Sequence, residues 1–415
     1  VRHRPGRGTA VGALTGWLLS LSPGMLPRSA PVAAGVGTVL ILVGAAIGAA
    51  GAAVLARRRR EEDRYGDRPG VSGVPGVSGL AVTVGLIVAG AALGLSVRHE
   101  VAVRAALDAP GIGLRWVLVV ALTPLSVAAA AFTVPIRVLT ATGLIGTIVA
   151  AAMLMPGPAD ARAPDVPDRA IIDYGPLPAG SARTHPGLAE RARTLVDDWE
   201  RRGGITQRAV VVAVPTGSGW LDAATVDGID RAFHGSVRVL ALQYDDAPSW
   251  QSYLQSPDAA GASAVAVLRT VAARLRAVPE RARPRVYLVG QSLGAIGADH
   301  ARRWASEHRV AVAGTVLAGV PAGALHDAPS TTPRTVIANP DDPVTVFEPA
   351  LLWRPAERSS WLPVVSFIGT AVDLLGSLNV PVGHGHRYGS LPDAAVPDTA
   401  DPDKPVQPIG PRAAS

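Results

Sequence analysis

The sequence predicts a chain in two parts: an α-helical, membrane-embedded first part, and an α/β second part whose mostly parallel sheet is flanked by helices. Three observations carry this. Five apolar stretches fill the first 155 residues. From about residue 186, charged helices alternate with short apolar strands. Within that alternation, the strand Val286–Val289 runs into Gly290-Gln291-Ser292-Leu293-Gly294, and a helical pattern from Ile296 to Trp304 follows.

The five stretches are Gly8–Leu26, Ala33–Ala56, Ser78–Val97, Leu114–Phe132 and Val138–Met155. Each approaches the ~20 residues that carry a helix across a bilayer. Their Gly and Ala content suits close helix packing in lipid. Pro23 interrupts the first stretch, and Pro124 is placed to kink the fourth. A cleaved leader fits poorly, because further apolar stretches follow without a clear cleavage site.

Arginine placement predicts the orientation. Arg2, Arg4 and Arg7 precede the first stretch, and Arg57, Arg58, Arg59, Arg60, Arg64 and Arg68 follow the second. Both groups are expected on the cytoplasmic side, which puts everything after Met155 outside. Arg98, Arg104 and Arg115 lie in the third connection, on the predicted outer side, where an amphipathic helix on the membrane surface would accommodate them.

Composition narrows the chemistry. Hydrophobic residues make up 48% of the 415 residues, and there is no cysteine. Disulfides, thiolate metal sites and a cysteine nucleophile are thereby excluded. The formal net charge of +6 comes almost wholly from arginine, Lys404 being the only lysine, and much of it flanks the apolar stretches. No basic stripe interleaved with aromatics appears, so nucleic acid is not an expected partner. Membrane lipids are.

Residues 156–185 are rich in Pro, Asp and Ala and read as a linker. The catalytic candidate is residues 186–390, and residues 391–415 read as a disordered tail. Between these limits the helix Leu188 to Arg202 precedes the strand Ala209–Val214. A second helix leads to the strand Val237–Gln243, and the helix Ala259 to Val278 leads to Val286–Val289. The strands Val312–Ala318, Thr335–Ala338 and Pro363–Phe367 complete the set. In such sheets chemistry gathers at the carboxyl ends of the strands.

Those ends hold a coherent constellation. A serine between two glycines on a strand-to-helix turn has its hydroxyl exposed above the sheet. The hydroxyl is a weak nucleophile and needs a base, which in turn needs an acid to fix its tautomer. After Ser292 come Asp341-Asp342-Pro343-Val344, just past a strand, and then Gly383-His384-Gly385-His386. Asp342 is the expected acid, with Asp341 in reserve. Either His384 or His386 is the base, and His384 is preferred. A two-histidine metal site lacks a third ligand at suitable spacing, so no metal or other cofactor is expected. The oxyanion donors are expected to be the amide of Leu293 and that of Thr216 or Gly217, in the loop after Val214. Tyr244, Trp250 and Gln291 are candidates for lining a substrate pocket.

Together, Val214 to Trp220, Gln243-Tyr244, Pro248-Ser249-Trp250, Gly290 to Gly294, Asp342-Pro343-Val344 and Pro381 to Tyr388 resemble the actinobacterial membrane α/β-hydrolases, as does Ser20 to Arg28 near the N-terminus. Members join a multi-span helical domain to an α/β-hydrolase domain. The resemblance implies a serine hydrolase built on Ser292, Asp342 and a C-terminal histidine. Gln291 departs from the acidic residue seen there in many members. The expected activity is hydrolysis of a lipid or cell-envelope ester. An acyltransferase with the same triad, or a non-catalytic binding or transport protein, are the alternatives. The near absence of ionisable residues within the apolar stretches argues against ion translocation.

Overall fold

The computed structural model describes residues 6–65, 79–133, 169–177, 187–325, 332–355 and 361–390. In chain order its main elements are α1 (Arg7–Ser20), α2 (Ala30–Tyr65), α3 (Gly79–Ala106), α4 (Leu114–Thr133), β1 (Ile172–Gly175), α5 (Leu188–Arg201), β2 (Ala209–Val214), α6 (Ala223–Ala232), β3 (Val237–Leu242), α7 (Ser249–Gln255), α8 (Ala259–Leu275), β4 (Arg285–Gln291), α9 (Leu293–Glu307), β5 (Gly314–Ala318), β6 (Arg334–Ile337) and α10 (Val365–Gly376). They form two compact units. One is Val1–Gly157 with Pro349–Pro381, and the other is Pro158–Glu348 with Val382–Ser415.

The helical unit is organised by glycine. A Cβ added to Gly12 would lie 2.0 Å from the Gly44 carbonyl oxygen, and one added to Gly48 would lie 2.0 Å from that of Gly8. Gly16 meets the Leu40 carbonyl in the same way, at 1.9 Å. Spaced four apart, these glycines let the backbones of α1 and α2 touch, as small-residue stripes do in lipid. Among the described residues, two helical segments, Ala30–Arg58 and Thr83–Ala106, are long and apolar enough to cross a membrane.

The first stretch departs from expectation. Its helix ends at Ser20, after 14 residues, and the chain then wraps through Pro23 and Gly24. The third connection holds no separate surface helix. Arg98 and Arg104 continue α3, and Arg115 opens α4. The fifth stretch, Val138–Met155, lies outside the described residues.

The second unit is a six-stranded parallel sheet in the order β1-β3-β2-β4-β5-β6. Every residue of β2 and of β5 is buried. Such continuous apolar runs are what a strand covered on both faces requires. One face packs Leu195, Val196 and Trp199 of α5 with Leu268 and Val271 of α8. The other packs Ile229 and Phe233 against Val211 and Tyr287.

Three boundaries are corrected. β1 falls inside the stretch read as linker; four residues followed by Pro176 give little periodicity. The expected strand Pro363–Phe367 is the start of the helix α10. Its β-branched residues mimic a strand, but the apolar run continues to Leu375 with helical spacing, and the helix wins. Pro349–Pro381 group with the helical unit rather than with the sheet-bearing one. The tail, 391–415, lies outside the described residues.

Candidate active site

The site is built around the turn between β4 and α9. Ser292 has φ 56° and ψ −123°, a region that side-chain-bearing residues rarely enter. Such strain persists only where the surroundings over-determine it. Here the two glycines of the motif are required by contact. A Cβ on Gly290 would sit 2.2 Å from the Gly294 carbonyl oxygen, and one on Gly294 would sit 2.1 Å from that of Val214. The turn is thus pressed against the end of β2. The Ser292 amide donates to the Ala318 carbonyl of β5 at 2.9 Å, and the residue stays half-buried.

Leu293 opens α9, so its amide has no acceptor within the helix and lies at the positive end of the helix dipole. Of the two candidates for the second donor, Thr216 is already engaged: its N–H donates to the Trp220 carbonyl at 3.1 Å. That leaves Gly217. A Cβ there would meet Ser252 Oγ at 2.4 Å, so this backbone position tolerates no side chain.

Past β6, the two aspartates separate. Asp342 is fully buried. Its Oδ1 accepts the Val344 amide at 2.9 Å, and its Oδ2 accepts both His386 Nδ1 at 2.8 Å and the Tyr388 hydroxyl. A carboxylate can only accept, so Nδ1 carries a proton, and in the neutral ring Nε2 is the acceptor. Nε2 is buried and has no hydrogen-bond partner among the described residues, Ser292 Oγ included. Contacts of this kind are commonly loose before substrate binds. The preferred pairing of Asp342 with His384 is therefore corrected. His384 Nδ1 instead donates to Asp341 Oδ2 at 2.9 Å, with its side chain 39% exposed.

The outer pair braces the loop. Asp341 Oδ1 accepts the Gly385 amide at 2.9 Å. Asn339 Nδ2 donates to the Gly385 carbonyl at 2.9 Å and to that of Arg387 at 3.3 Å. Gln291 Nε2 donates to the His386 carbonyl at 3.3 Å. Asn339 and Tyr388 carry no role in the sequence reading. The only signal was position: one lies just before the aspartates and the other two residues past His386.

The pocket candidates divide. Tyr244 is buried in the core, where burial pushes its hydroxyl well above the usual tyrosine range, and it is not among the residues lining the cleft beside Gln291. Trp250 is exposed on α7. Gln291 does line a cleft, with Val214, Thr216, Trp220, Val226 and Ile229, and the aromatic wall there is Trp220. Among the described residues, no three His, Cys, Asp or Glu side chains gather where they could hold a metal ion.

A parallel sheet with a strained serine at the carboxyl end of a central strand defines an α/β-hydrolase architecture. The match to known families agrees. Residues 179–334 and 324–404 match the alpha/beta-hydrolase family. Together these span more than half of the 415 residues, so the chain belongs to that family. No curated protein matches it. Membership supports a hydrolase-like function.

Proposed function

We propose that the protein is a membrane-anchored serine hydrolase acting on a carboxylic ester. The observation that carries this is the buried Asp342–His386 pair with an unpartnered Nε2, in the same unit as the strained Ser292. In this reading Ser292 Oγ attacks the ester carbonyl and its proton passes to His386 Nε2. Asp342 holds the tautomer and stabilises the imidazolium. The amides of Leu293 and Gly217 receive the oxyanion. The proton on Nε2 then goes to the departing alkoxide, leaving an acyl-enzyme. Water, deprotonated by the same Nε2, releases the acid and restores Ser292.

The cleft beside Gln291 is walled mainly by Val214, Trp220, Val226 and Ile229. A lipid or cell-envelope ester is the proposed substrate class, on the ground that the helical unit would place the catalytic unit at a membrane. The membrane reading is supported by outward-facing aliphatics on helices of spanning length. Ile47 is 67% exposed and Leu95 is 68% exposed, as side chains facing an apolar solvent would be. Arginine bias supports an extracytoplasmic catalytic domain.

The test is labelling by a fluorophosphonate, comparing wild type with Ser292→Ala, followed by hydrolysis of p-nitrophenyl esters of graded chain length. Labelling of wild type alone, with turnover rising as the chain lengthens, is expected. Equal labelling of both proteins would overturn the reading.

A further inference from the structure

Tyr388 lies two residues past the proposed base, and the proposed steps give it no part. Its side chain is nonetheless built into the site. The residue is 8% exposed and clusters with Val289 of β4 and with Val316 and Ala318 of β5. Its ring meets that of His386 edge to face, with centroids 5.7 Å apart and planes at 88°. The end of β5 makes room for both rings. Gly319 has φ 58°, and a Cβ there would lie 2.5 Å from Tyr388 Cε2 and 2.7 Å from His386 Cε1. All of these residues belong to the sheet-bearing unit.

The hydroxyl is directed. The Asn339 amide donates to the Tyr388 hydroxyl oxygen at 3.3 Å. The hydroxyl in turn donates to Asp342 Oδ2, the oxygen that also receives His386 Nδ1. A backbone N–H only donates and a carboxylate only accepts, so the direction of the phenolic proton is fixed. Asp342 is 0% exposed, and a carboxylate so buried is costly unless its oxygens are paired. The Val344 amide holds Oδ1 at 2.9 Å. Without the tyrosine hydroxyl, Oδ2 would be left to the imidazole, the group whose charge changes during the reaction. With one neutral anchor on each oxygen, the plane of the carboxylate is set independently of His386. A ring kept for packing alone needs no hydroxyl, and phenylalanine would fill its place.

We propose that Tyr388 is a positioning residue for the reaction: its hydroxyl fixes the Asp342 carboxylate, and through that carboxylate sets the tautomer and orientation in which His386 takes the Ser292 proton. This rests on the Ser292–His386–Asp342 reading above and adds a fourth side chain to it.

The experiment is the kinetics of fluorophosphonate inactivation of the full-length protein in detergent micelles, separating the maximal rate kinact from the half-saturating concentration KI. Tyr388→Phe is expected to lower kinact about tenfold or more, the size of effect that a hydrogen bond to a charged group carries, while KI stays within about twofold. Phenylalanine keeps the ring against His386, so a role in packing alone would leave kinact unmoved. Incorporation of 4-aminophenylalanine at position 388 returns a donor on the same ring and is expected to recover most of the loss. Unchanged kinact in Tyr388→Phe, a change in KI alone, or an amine-bearing ring no better than phenylalanine would overturn the proposal. Should Tyr388→Phe not fold, Gly319→Ala replaces it, crowding the tyrosine ring with one methyl; a tenfold loss in kinact is expected, and an unaltered kinact is equally fatal. If wild type labels no better than Ser292→Ala, the catalytic reading itself fails and takes this inference with it.

Discussion

Gln291 and His386 are joined by a hydrogen bond from the Gln291 side-chain amide to the His386 carbonyl, at 3.3 Å. The residue beside the proposed nucleophile thereby fastens the loop that carries the proposed base. An acidic residue at this position has no proton to donate at neutral pH. The glutamine thus supplies a brace that a carboxylate cannot.

Replacing it tests the brace. Gln291→Glu removes the donor and sets a negative charge against a carbonyl oxygen. Loss of a hydrogen bond of this kind is worth about 1 kcal/mol, or roughly fivefold in rate, and the repulsion adds to it. The expected outcome is a kcat lowered about five- to twentyfold on a short-chain ester. An unchanged kcat would show that the loop is held without Gln291.

The two histidines are expected to behave very differently. His386→Ala should reduce fluorophosphonate labelling to the level of Ser292→Ala, because the base is lost and the remaining steps do not act without it. His384→Ala removes only the outer pair with Asp341 and should retain labelling within about tenfold. The reverse ranking would hand the base role to His384 and dissolve the Asp342 assignment with it.

That assignment marks where the sequence stops speaking. The serine turn is legible because its signal is local: an apolar strand, two glycines and a helix in succession. The order of serine, aspartate and histidine is legible for the same reason. Which aspartate meets which histidine is not. Asp341 and Asp342 are adjacent, and His384 and His386 sit one residue apart, so periodicity offers no preference. Burial decides it, through Asp342 turning inward against Val344 and Tyr388. α10 is misread because Val364, Val365 and Ile368 favour either structure over a short window. Its single acid, Asp373, draws no notice in an apolar run. Only the distant turn at Gly24 gives it meaning.

The helix pair α1 and α2 should be intolerant of side chains along its seam. Gly12→Leu places a branched chain where even a Cβ would lie 2.0 Å from a carbonyl oxygen. The backbones must separate, which forfeits the close packing that holds helices together in lipid. Overpacking of this sort typically destabilises by about 1–3 kcal/mol, and here the obstacle is backbone. Thermal unfolding in detergent should begin several degrees lower than in wild type, by roughly the amount such energies imply. Gly51→Leu is the control, since a Cβ there meets nothing within 4 Å. Equal melting of the two variants would mean that the seam is not formed.

Asp373 also makes a prediction about pH. It lies outside the helices of spanning length. Burial pushes its carboxyl up to about 6 from 3.8, against the opposing charge of Arg28, the amides of Met25 and Leu26, and the nearby His99. The sign follows from proton counting. Between about pH 4 and pH 6 the native protein holds a proton on Asp373 that the unfolded chain has released. Stability from this group is therefore complete below pH 4 and falls away as pH rises through 6, by an amount on the order of 3 kcal/mol. Asp373→Asn cannot titrate, and His99 and Arg28 are common to both proteins. The variant should gain on wild type as pH rises from 4.5 to 7.5 in denaturant titrations, with the gap flat above that. A gap independent of pH would show that Asp373 titrates as it does in the unfolded chain, its desolvation being fully offset by Arg28 and the neighbouring amides. A gap that opens as expected would mean that the carboxylate is carried at a cost to stability.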